Sequence, residues 1–112
     1  MNVDQIMEAI GKAAGTINSM SDMLFADNSN FSAENIKVAL DSAKQSGTGE
    51  FTKIKNAFLT AIVQTKKELE NSMSVIKMAM EHSNNPSLGT VYEKGNRCLN
   101  HYNELTQLIE NY

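Results

Sequence analysis

The sequence predicts an all-α protein, a long antiparallel helical hairpin elaborated to a four-segment helical bundle, and three observations predict it. Between Phe51 and Met80 the apolar residues Phe51, Ile54, Phe58, Ile62, Leu69, Met73, Ile76 and Met80 advance by three, four and four, with Thr65 in the one polar slot. This eleven-residue repeat is close to the turn of an undistorted α-helix, so the stripe stays on one face for about eight turns. The stretches that flank it step by three and four as well, and clusters of Asn, Ser and Gly with the single proline separate the periodic stretches. With 112 residues the chain has room for one domain, 1–112, and a modest core.

The first element is expected over about 3–25, where Val3, Ile6, Ile10, Ala13, Ile17, Met20 and Leu24 form the stripe. Gly11 and Gly15 each weaken this helix by about 1 kcal/mol relative to alanine. Together with Ala14 they make a thin patch that either admits a second helix at close range or fits a tight spot in the protein's own core. The polar run from Ala26 to Asn30 ends the pattern, because its side chains compete for backbone hydrogen bonds.

Ser32 is the expected N-cap of a second helix over about 32–45. Glu34 lies in its first turn, and Phe31 and Ile36 are placed to close a hydrophobic staple. Ile36, Ala39, Leu40 and Ala43 are its apolar face, and Gly47 and Gly49 supply the positive φ that a change of direction requires. The long helix follows over about 50–82. The segment from Ser83 to Gly89 closes it, and a last helix over about 88–112 carries Leu88, Val91, Gly95, Cys98, Tyr102, Leu105, Ile109 and Tyr112.

Composition narrows the function. Thirteen acidic residues against ten basic ones, with no lysine or arginine run, leave no footprint for a phosphate backbone, so no nucleic-acid partner is expected. One cysteine and two histidines are too few for the usual zinc sites, and neither a metal nor another cofactor is expected. Cys98 and His101 share a helical surface, yet no glycine elbow or third orienting group marks a nucleophile and its base, and no catalytic residue is assigned. The N-terminal residues carry Asp4 in place of a basic flank, and the longest apolar runs are short, so neither a cleavable signal nor a membrane span is expected.

What remains is surface. Met7, Ala14 and Met23 on the first helix, and Leu59, Val63, Val75 and Met78 on the long one, widen the stripes beyond one face. A helix with two apolar faces is either buried between two neighbours or shares one face with another chain. Gly11, Ala14, Leu59 and Val63 are the expected contacts for a helical partner, in a hetero- or homo-oligomer. The seven methionines suit such adaptable contacts, although core filling is their commoner use.

From Ser46 to Met73 the chain resembles the small helical-hairpin proteins of bacterial type VII secretion, the WXG or early-secreted-antigen-like family. There a first helical arm of some forty residues leads through a turn into a second amphipathic helix. Gly47, Gly49 and Phe51 stand at the place of the family's turn motif, with Gly47 where the family has tryptophan. The family's export signal pairs a tyrosine with an acid four residues later, whereas Tyr92 is followed by Asn96 and Tyr102 by Thr106. The resemblance implies a small secretion substrate or targeting partner that pairs with a larger secreted effector, cytoplasmic before export and leaving by a route independent of a signal peptide. Asn85-Pro86-Ser87-Leu88 with Tyr92 and Tyr102-Asn103 is similar to the proline turn of type III secretion needle and inner-rod subunits. That similarity implies a polymerising subunit; a secretion chaperone or adaptor is the further alternative.

Overall fold

The computed structural model describes residues 2–27, 29–47 and 49–112; Met1 and two residues of the expected breaks, Asn28 and Thr48, lie outside them. Four helices follow in order, α1 (Val3–Leu24), α2 (Ala33–Ser46), α3 (Glu50–His82) and α4 (Pro86–Glu110). Each starts and stops for a local reason. Asn2 caps α1 by accepting from the Gln5 backbone N–H, while the Gln5 side chain accepts from that of Asn2. Ser32 accepts from Asn35 N–H at the start of α2, as its position implies. Gly47 and Gly49 both adopt positive φ, 65° and 80°, and turn the chain from α2 into α3. Proline does not close α3: Pro86 opens α4, where its missing N–H removes nothing from the helix, and Asn85 caps it by accepting from Ser87 N–H.

α3 and α4 form the antiparallel hairpin, and α1 and α2 pack along it without packing on one another. The Lys94 ammonium donates to Asn18, the Cys98 thiol meets Ser21 and the His101 ring meets Phe25, so α1 runs parallel to α4 at a constant offset. Farther along, Phe31 meets Tyr102, and the Tyr112 hydroxyl donates to Asp41 on α2. The first two helices are therefore laid end to end as one broken arm. In cross-section the molecule is three helices thick, and its extents are 57 × 25 × 20 Å.

The core is the expected one along most of its length. Ile17, Ile36, Leu40, Ile62, Leu69, Ile76, Cys98, Leu105 and Ile109 are fully buried, and Phe51, Ile54 and Phe58 pack half-buried against them. Three stripe positions depart from expectation, and all belong to the outer turns of α1 and α3. Val3 is 70% exposed, Ile6 44% and Met80 38%, while Ala79 is buried in the last turn of α3. Their periodicity is correct, but burial also requires an opposing helix, and at these turns the opposing surface is incomplete.

Candidate functional site

The register between α1 and α4 defines the incomplete end. Counting back eight residues along both helices from the Asn18–Lys94 pair brings Ile10 level with Pro86, the first residue of α4. The turns of α1 before Ile10 thus project past the start of α4. Ile6 and Met80 continue the stripes that bury Ile17 on α1 and Ile62 on α3, and here those stripes emerge into solvent beside Val3 and the 65% exposed Met7. The result is an apolar end built from core-facing positions. The nearby charges of α1 are Asp4 and Glu8, both exposed.

Of the four residues expected to meet a partner, Gly11 and Val63 are exposed, whereas Ala14 and Leu59 are half-buried against the core. The structure does not gather them into one patch. Ala13 and Thr16, which bracket Ala14, share a groove with Glu68 and Val75, and Val63 lies five residues before Glu68, about 7 Å along α3. Nothing stands within 4 Å of a Cβ built on Gly11 or Gly15, so this thin patch fits no tight spot in the core. The close approach lies instead at Gly95 on α4, against Met73. In the turn motif, Phe51 meets the Tyr112 ring at 6.3 Å between centroids, joining the start of α3 to the end of α4.

A second feature lies where α1 breaks into α2. Ser29 is buried and its hydroxyl accepts from Phe31 N–H, while the Asn35 amide donates to the Ser29 carbonyl at 2.7 Å. His101 Nε2 donates to the Phe31 carbonyl at 2.9 Å, and the Arg97 guanidinium covers the Phe25 ring at 4.5 Å. The connection is therefore tied down from α4 at both ends. Beside it a cleft of about 290 Å³ opens between Met20, Met23, Phe31, Thr65 and Tyr102. Thr65, the polar slot of the α3 stripe, faces the place where the first arm is interrupted.

Cys98 and His101 do not form a reactive pair. Burial pushes the Cys98 thiol pKa up, with Ser21 hydrogen bonding and the Arg97 charge pulling it partly back, and a raised, fully enclosed thiol is a poor nucleophile. His101 is spent on Phe31 and Phe25. Among the described residues no three of His, Cys, Asp and Glu are grouped to hold a metal ion, and no helix is long and apolar enough to cross a membrane. The sequence contained the signals for the open end, in stripe residues that begin before the last helix has a counterpart, but only the α1–α4 register reveals the overhang. Comparisons with family models, with curated protein sequences and with solved structures return no match to this chain.

Proposed function

We propose that the protein is a non-enzymatic helical interaction module that seats a helix of another protein chain on the apolar end formed by the outer turns of α1 and α3. One observation carries the reading: Ile6 and Met80 occupy core positions of their stripes and yet are 44% and 38% exposed. A partner helix laid there would continue the core beyond the start of α4, and burying such side chains stabilises a complex by roughly 1 to 3 kcal/mol each. The end is flanked by Asp4 and Glu8 of α1 and by Lys77 and Glu81 of α3, all exposed.

The partner in this proposal is a larger secreted effector of a type VII secretion system. Support comes from the arrangement of the arms: α1 and α2 lie end to end over residues 3–46, the chain turns at Gly47 and Gly49, and α3 returns as a second amphipathic arm. Neither nucleic acid nor a cofactor enters this function. The test is a pull-down from the native cell with captured chains identified by mass spectrometry, comparing the wild-type chain with an Ile6→Lys, Met80→Lys variant. The variant loses the effector while its melting temperature stays within a few degrees of wild type. Retention of the effector by the folded variant, or concentration-dependent filaments of the chain alone, would refute the reading.

A further inference from the structure

We propose that the cleft at the break between α1 and α2 is a binding site for a small neutral molecule with an apolar body and one hydrogen-bonding end. This is independent of the partner-binding end, which lies at the opposite end of α1.

Three features of the cleft define the ligand class. Its volume, about 290 Å³, suits a body of one or two rings, at the small end of ligand sites. Its walls are mostly methionine, leucine and aromatic, Met20, Met23, Leu24 and Phe31, with Ser29 and Asn30 on the side of the connection, and thioether side chains adapt their shape to an irregular guest. Among the described residues no charged side chain lines it, which selects against an ion.

The polar end of the ligand is assigned by Tyr102. This side chain is only 3% exposed, and among the described residues its hydroxyl has no hydrogen-bond partner. Every enclosed side-chain polar atom among the described residues is satisfied, so the Tyr102 hydroxyl reaches an open surface, and the cleft is the surface that Tyr102 lines. Thr65 brings a second hydroxyl to the same cleft, from the one slot where the α3 stripe is not apolar. A phenylalanine and a valine at these positions would have packed as well without leaving polar groups to satisfy. The pair of hydroxyls therefore marks a donor and acceptor site at the inner edge of an apolar cleft.

The protein has no tryptophan, so a fluorescent aromatic probe can be followed without background from that residue. The experiment titrates wild type, Tyr102→Phe and Thr65→Val with 2-naphthol and, separately, with naphthalene, which has the same body and no hydroxyl. Wild type binds 2-naphthol more tightly than naphthalene, by about tenfold for one net hydrogen bond. In Tyr102→Phe that preference falls to within about twofold while naphthalene binding is retained. Circular dichroism establishes that each variant is folded, and amide shifts place the probe among Met20, Met23 and Phe31. Equal binding of the two probes to wild type, an unchanged preference in the folded Tyr102→Phe and Thr65→Val variants, or shifts confined to another surface would each overturn the assignment and leave the cleft a hydrated gap.

Discussion

A methyl group on Gly95 would stand 2.8 Å from Cγ and 2.9 Å from Sδ of Met73, closer than real Cβ atoms come to their neighbours. The hairpin of α3 and α4 thus meets, at this level, backbone against side chain, and Gly95 is buried because Met73 lies across it. The relationship explains why a helix interior tolerates a residue that weakens it. Alanine would recover about 1 kcal/mol of helix propensity but would displace a buried thioether, and overpacking of that kind costs about 1 to 3 kcal/mol.

Gly95→Ala should therefore destabilise the protein by about 1 kcal/mol, whereas Gly11→Ala and Gly15→Ala should each stabilise it by up to about 1 kcal/mol. The latter two sit in α1 with nothing within 4 Å of the added methyl. Denaturant unfolding of the three variants reads both signs. A stabilising Gly95→Ala would mean that α3 and α4 are farther apart than described.

Ile62 and Met80 lie five turns apart on one line of α3, the first 1% and the second 38% exposed. Ile62→Asp places an unpaired charge in the core and should cost about 3 kcal/mol or more. Met80→Asp should cost less than about 1 kcal/mol, because its carboxylate stays hydrated. Thermal melting of the two variants checks this, and equal losses would show that the end of the bundle is closed.

Alkaline pH should destabilise the protein through its tyrosines. Burial, with a smaller contribution from the Cys98 charge, pushes the Tyr102 hydroxyl pKa up to about 12. Hydrogen bonding to Asp41, ahead of burial and charge, raises that of Tyr112. The folded state then holds protons that the unfolded chain releases near its ordinary value of about 10. This contribution is complete below that value and is lost as pH rises from about 10 to about 12. Melting temperature followed by circular dichroism, recorded with tyrosinate absorbance, should fall across that window, and Tyr102→Phe should flatten the fall. A wild-type stability that is pH-independent there would contradict the burial of the Tyr102 side chain.

Much of this architecture was legible in the residues. The Phe51–Met80 repeat gave the long helix with its bounds, and Ser32, Gly47 and Gly49 marked their cap and turn because each needs only local geometry. Pro86 misled by two residues: a proline ends one helix and starts the next equally well. The end-to-end placement of α1 and α2 was not legible, since an amphipathic stripe specifies a face and not the helix that covers it. Exposure of Val3, Ile6 and Met80 follows from the register of α1 on α4 and was hidden for the same reason. Gly95 stood on the apolar stripe of the last helix and Gly11 beside that of the first, but only the neighbouring helix shows that Met73 lies across the one and nothing across the other.

The central claim, that the outer turns of α1 and α3 receive a helix of another chain, is tested most directly by site-specific photo-crosslinking in the native cell. A photoreactive residue is placed singly at Met7, at Val63 on the middle of α3, and at Val38 on α2, three apolar positions of similar exposure at 65%, 63% and 59%. The account predicts one crosslinked product of a larger, different chain from Met7, with the attached peptide drawn from a helical segment, and none from Val38 or Val63. Crosslinks to that chain from Val63 or Val38 but not from Met7, or a product consisting of two copies of this chain from Met7, would contradict it.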